Sequence, residues 1–111
     1  MALTEFGKAI RKARIDSGDT LRSMSKALNI TQAFLHSIET GKKKIPIRLV
    51  GDIALFFAKH DIYIPNLPVL ADLSNQYVDL KTLSDRHKIL VIKLVHNNYT
   101  DDELKKLEEI I

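Results

Sequence analysis

The sequence predicts an all-α protein: an N-terminal domain of four short helices over residues 1–58, an extended proline-containing connector over 59–83, and a C-terminal helical hairpin over 84–111. Three observations predict it. Apolar residues recur at three- and four-residue spacing through most of the chain. Polar residues able to cap a helix stand ahead of those runs. The one stretch with partial alternation, Ile62-Tyr63-Ile64-Pro65-Asn66-Leu67-Pro68, holds two of the three prolines, which favours extended backbone over helix.

Each element has its own signal. Leu3, Phe6, Ile10 and Ala13 give the first helix its buried face, and Ser17-Gly18-Asp19 stops it. Thr20 caps a second short helix with Leu21, Met24 and Leu28 inward. Asn29 interrupts the pattern, and Asn is among the few residues that accept a left-handed backbone readily. Thr31 caps a third helix, Gln32 to Thr40, with Phe34, Leu35 and Ile38 on one side and Gly41 as the stop. Lys42-Lys43-Lys44 forms a loop, and Pro46 precedes a fourth helix bearing Leu49, Ile53, Phe56 and Phe57. Leu70, Leu73, Tyr77 and Leu80 return to helical spacing inside the connector, which predicts a further helix or irregular helical stretch there. Ser84 caps a helix to about Asn97 whose run Ile89 to Val95 is apolar almost all round, implying burial on more than one side. Thr100-Asp101-Asp102-Glu103 is a capping box for the last helix, with Leu104, Leu107, Ile110 and Ile111 as its stripe.

Composition narrows the function classes. With 111 residues, 45% of them hydrophobic, the chain can bury a core. No Cys is present, which removes disulfides, thiolate metal sites and cysteine nucleophiles. His36, His60, His87 and His96 lack metal-ligand spacing, and there is no nucleophile elbow or glycine-rich phosphate loop, so neither an enzyme nor a cofactor is expected. No apolar run has the length of a signal peptide or a membrane span, so the expected setting is soluble and cytoplasmic, without a membrane partner. Charge is divided along the chain. Residues 1–48 carry ten bases against four acids, a net +6, and residues 49–111 carry seven against ten, a net −3. A basic first half points to a polyanionic partner.

Two short helices joined by a sharp turn, the second capped and followed by a basic loop, have the plan of a helix-turn-helix. Ser25 is the small residue of the first helix, Asn29 the turn residue, and Leu35 and Ile38 the apolar anchors of the second. On a helical wheel Gln32, Ala33, His36, Ser37 and Thr40 share a sector of roughly 140°, opposite Phe34, Leu35 and Ile38. That face carries no carboxylate to repel phosphate. Gln can pair with adenine at two points, Ala can touch a thymine methyl, and Ser can address several base edges. Gln32, Ala33, His36 and Ser37 are therefore the candidate base readers. Thr31, Arg22, Lys26, Lys42, Lys43 and Lys44 are the candidate phosphate contacts.

From about Phe6 to Phe57 the sequence resembles the Cro/repressor-like, or XRE, helix-turn-helix family. The resemblance rests on Phe6-Gly7, Ile10-Arg11, Arg14 and Gly18, on Leu28-Asn29-Ile30-Thr31-Gln32 with Leu35, and on Ile38-Glu39, Gly41-Lys42, Pro46, Ile53-Ala54 and Phe57. It implies a compact DNA-binding domain working as a dimer on a pseudo-palindromic operator. It also implies a structural ion pair between Arg14 and Glu39 that ties the first helix to the third. Leu21 stands where the family usually has a phosphate-binding Gln, Ser25 and Asn29 replace the usual Ala and Gly, and the Pro65/Pro68 segment does not match the family's fifth helix.

The expected function is that of a sequence-specific transcriptional regulator, a repressor binding double-stranded operator DNA as a homodimer. In this reading Ile89, Ile92, Val95, Leu104, Leu107 and Ile110 supply the dimer surface. Two alternatives remain open at this point. One is the antitoxin of a toxin–antitoxin operon, with a protein toxin held by the C-terminal part. The other is a protein-interaction adaptor without DNA binding.

Overall fold

In a computed structural model, which describes residues 2–111, the chain forms seven α-helices and no strand among those residues. They are α1 (Glu5–Ser17), α2 (Leu21–Ala27), α3 (Gln32–Glu39), α4 (Ile47–Ala58), α5 (Leu67–Asn75), α6 (Asp85–His96) and α7 (Asp101–Ile110). The chain divides into two compact units, the first ending at Val78 and the second running Asp79–Ile111.

Helix boundaries follow local chemistry. The side chains of Thr20, Thr31, Ser84 and Thr100 each accept a hydrogen bond from the backbone N–H three residues on, satisfying one of the donors a helix start leaves unpaired. The Thr100–Glu103 box closes as expected, and Thr20 forms a second one with Ser23. Asn29 adopts a left-handed backbone (φ 57°) between α2 and α3. The Ile30 N–H reaches back over that turn to the Ser25 carbonyl at 3.0 Å.

The core of the first unit is built from Phe6, Ile10, Met24, Leu35, Ile38, Ile53 and Phe57, all fully buried. At the crossing of α1 and α3 the backbones nearly touch. A Cβ added to Gly7 would lie 2.0 Å from the Glu39 carbonyl oxygen, so only glycine fits there. That carbonyl accepts from both the N–H and the hydroxyl of Thr4, each at 3.1 Å. Arg14 and Glu39, at 7% and 2% exposure, form a two-point ion pair, with Nη1 donating to Oε2 at 2.5 Å and Nη2 to Oε1 at 3.2 Å.

The structure departs from the sequence expectations in three places. The first unit does not end near residue 58. Residues 59–66 are turns and irregular backbone, after which α5 forms and buries Leu67 and Ala71 in the same core. Pro68 sits in the first turn of α5, where a missing N–H is harmless, and Asn66 turns the chain into it with φ 57°. The further helix expected from Leu70 and Leu73 is present, but it starts inside the proline segment, and α4 and α1 both pack against it. Within it, Leu70 packs on the core as its spacing implied, but Leu73 is exposed and Tyr77 and Leu80 fall outside the helix.

The second and third departures concern the second unit. It holds the two expected helices joined by a short link, but α6–α7 is not among the helix pairs with extensive backbone contact. Neither helix has a buried residue, although Ile89 to Val95 was expected to be covered on several sides. Val95 is 75% exposed and Ile89 53%. Two helices offer no third element to cover the outer side of an all-round apolar run.

A testable consequence concerns the ion pair. Arg14→Ala or Glu39→Ala strands a buried charge and is expected to cost about 3–5 kcal/mol, while replacing both together by apolar residues of similar volume costs far less. Urea unfolding of the two single variants and of Arg14→Met with Glu39→Leu checks this. Single variants with the wild-type midpoint would show that the pair contributes nothing.

Candidate nucleic-acid interface

The surface of α3 divides as its sequence periodicity requires. Leu35 and Ile38 are buried and Phe34 is half-buried, while Gln32, Ala33 and His36 are exposed and Ser37 and Thr40 half-exposed. The two hydroxyls are turned back onto the helix. Ser37 Oγ donates to the Ala33 carbonyl at 2.9 Å, and Thr40 Oγ1 donates to the His36 carbonyl at 3.0 Å. Their lone pairs face outward as acceptors, so Ser37 presents an acceptor to a ligand unless its hydroxyl rotates.

Thr31 opens the helix. Its Oγ1 accepts from the Phe34 N–H at 3.0 Å, which leaves its own proton free to be donated outward. Arg22 and Lys26 are exposed on α2, and Lys42, Lys43 and Lys44 are exposed in the loop beyond α3. Leu21 does not face solvent as a polar anchor would. It is partly buried and packs against the core.

The basic loop is folded back on α3. Gly41 takes φ +76°, and a Cβ there would lie 2.9 Å from Thr4 Cγ2, so the turn needs glycine twice over. Beyond it the Lys43 N–H donates to the Ser37 carbonyl at 3.2 Å, which holds the lysine loop beside the last turn of α3. The charge pattern around this helix pair is one-sided. Between Asp19 and Asp52 the chain carries six bases (Arg22, Lys26, Lys42, Lys43, Lys44 and Arg48) and one acid. That acid is Glu39, which is buried and neutralised by Arg14. The helix pair therefore shows solvent positive charge and polar groups, with no exposed carboxylate of its own.

Of the residues singled out from the sequence, Gln32, Ala33, His36 and Ser37 lie on the solvent side of α3, and Thr31 and the three lysines lie at its two ends. Arg14 and Glu39 meet as an ion pair. Ile89, Ile92, Val95, Leu104 and Ile110 are exposed in the second unit, and Leu107 is half-exposed. At the end of the first unit, sequence reasoning passed over Asn75 and read Tyr77 only as part of an apolar stripe. The side-chain amide of Asn75 bonds both backbone groups of Ile45, and Lys44 Nζ lies 5.8 Å from the centroid of the Tyr77 ring. Nothing local marks either contact, because the partners are some thirty positions apart in the chain.

No family model, curated protein or solved structure matches the chain. Among the described residues no helix is long and apolar enough to cross a membrane.

Proposed function

We propose that this protein is a sequence-specific DNA-binding regulator of transcription, a repressor that occupies its operator as a homodimer. The observation that carries the reading is the surface of α2, α3 and the loop that follows: five exposed bases (Arg22, Lys26, Lys42, Lys43 and Lys44), a polar outer face on α3, and a single carboxylate withdrawn into a buried ion pair. Such a surface suits a polyanion with base edges recessed between phosphates. In this mechanism α3 enters the major groove. Thr31, Arg22, Lys26 and the three lysines fix its register on phosphates, and Gln32, Ala33, His36 and Ser37 address the bases. Two protomers reach half-sites ~34–36 Å apart, and occupancy of the promoter excludes polymerase.

The second unit supplies the pairing surface in this reading. Ile89, Leu90, Ile92, Leu94 and Val95 are all exposed on one helix, more apolar surface than an isolated monomer ordinarily shows. The same exposure favours a second reading, in which this unit grips a protein toxin and the first unit represses the promoter of their shared operon.

With four to six phosphates neutralised per protomer, a dimer is expected to show a log–log salt slope of about −7 to −11. Replacing Lys43 and Lys44 by Ala should weaken operator and random duplex alike and make the slope shallower. Fluorescence anisotropy over a salt series measures it, and a flat wild-type slope sinks the DNA reading.

For base reading, Gln32→Ala is expected to cost about 1–3 kcal/mol on the operator with little change on random DNA. Competition with single-base operator variants checks this. Equal losses on both DNAs would make Gln32 a backbone contact only.

The pairing surface has its own test in the full chain. Ile92→Glu with Val95→Glu should yield a monomer by light scattering and lower operator affinity by about two orders of magnitude or more as bivalency is lost. A wild-type monomer, or a double variant that stays dimeric, refutes the assignment. A monomer that pairs with the product of a neighbouring reading frame favours the antitoxin reading.

A further inference from the structure

The segment that carries Lys42, Lys43 and Lys44 lies between α3 and α4 and has no helical hydrogen bonds of its own. Its shape therefore comes from contacts with other parts of the fold. One is the Lys43 N–H on the Ser37 carbonyl. The strongest involves Asn75, the last residue of α5. Its Oδ1 accepts from the Ile45 N–H at 2.7 Å, and its Nδ2 donates to the Ile45 carbonyl at 2.9 Å. One side chain thus satisfies both polar groups of a loop residue, as a neighbouring strand would. Ile45 is itself buried, so the two bonds and the apolar side chain fix this residue from both sides.

A second contact lies two residues further on. Helix α5 stops directly after Asn75, where Gln76 takes φ 51° and ψ 45°. That left-handed conformation is costly for a residue other than Gly, Asn or Asp, so the surrounding structure must hold it. The Tyr77 N–H then closes the helix end on the Asp72 carbonyl at 3.2 Å, and the Tyr77 ring lies 5.8 Å from Lys44 Nζ. A cation at that distance from an aromatic face is attracted by it. The end of α5 thus grips the backbone just after the lysines and the side chain of the last of them.

We propose that Asn75 is a positioning residue for phosphate contact: through its paired hydrogen bonds to Ile45, with Tyr77 beside Lys44, it holds the Lys42–Lys44 loop in the form that meets the DNA backbone. The inference rests on the DNA reading above. A loop already ordered gives up less conformational freedom when it binds, so its lysines neutralise phosphates at lower cost than lysines on a mobile loop. Asn75 touches no DNA in this arrangement. It acts through Ile45.

The test compares two full-length variants. Asn75→Ala removes both bonds while keeping a good helix former. Leu70→Ala serves as the control, since Leu70 lies on the other side of α5 with Ala9 and Ala13 of α1, away from the loop. Amide exchange at Ile45 and duplex binding over a salt series are measured where both variants are fully folded. Asn75→Ala should expose the Ile45 amide to exchange. It should also lose about tenfold in affinity at 0.1 M salt, on operator and random duplex alike, and about one unit of slope, for each phosphate contact given up per complex. Leu70→Ala should melt earlier yet keep the wild-type slope. If Asn75→Ala keeps the slope while the wild type binds duplex, or if both variants lose it in proportion to their stability, the positioning role is overturned. A wild type with no salt-dependent duplex binding overturns the DNA reading and this inference with it.

Discussion

Glu39 ties α3 to the α1 segment at three points. Its carbonyl is one of those a helix end leaves without an intrahelical partner, and here it accepts two hydrogen bonds from Thr4. Its backbone rests against Gly7, and its carboxylate takes both ends of the Arg14 guanidinium. One residue at the end of α3 is thus bound to α1 at its start, in its first turns and near its end. The angle and depth at which α3 sits on α1 follow from that set of contacts. A buried ion pair of this kind is a doubtful source of net stability, because desolvating two charges offsets most of their attraction. Its value lies in geometry, since two parallel hydrogen bonds fix orientation as well as distance.

The same burial shapes the outer surface. An exposed carboxylate at the end of α3, next to three lysines, would pair with them and oppose any approaching phosphate. Withdrawing Glu39 to 2% exposure against Arg14 leaves the lysines to solvent. The back-bonded hydroxyls of Ser37 and Thr40 belong to the same surface, satisfied within the helix yet still able to accept a bond. Core packing and surface charge are consequently not separate features of this helix pair.

What could be read from the sequence was local. Thr20, Thr31, Ser84 and Thr100 announce helix starts because a cap bonds within three residues, and Asn29 announces its turn because few residues accept a positive φ. The solvent face of α3 was legible from periodicity alone. The spacing of Leu70 and Leu73 pointed to a helix at α5, but its start and its place in the core were not legible, because Pro65 and Pro68 signal a break that only burial of Leu67 and Ala71 turns into a helix start. Nor could the sequence disclose the Thr4, Gly7 and Glu39 crossing or the hold of Asn75 on Ile45, whose partners are 30 or more residues apart. In α6 the periodicity correctly marked apolar residues but carries no information about what covers them.

That last point bears on how the second unit works. Its helices have twelve and ten residues, at or below the length at which an isolated helix holds its shape in water. Capping by Ser84 and the Thr100–Glu103 box helps each helix start, and acidic residues in the first turn of α7 favour its N-terminus. Neither effect replaces burial, and no side chain of either helix is buried. If a second copy covers α6, ordering of this unit and association become one equilibrium, and part of the apolar gain offsets the entropy of fixing the helices. The unit would then be well ordered only in the paired state. Because two half-sites are engaged together only by a pair, operator occupancy would rise more steeply than in proportion to protein concentration at the dilution where pairs dissociate. On the dimer reading, the lack of a core in the second unit is what makes DNA binding by the first unit sensitive to how much of the protein is present.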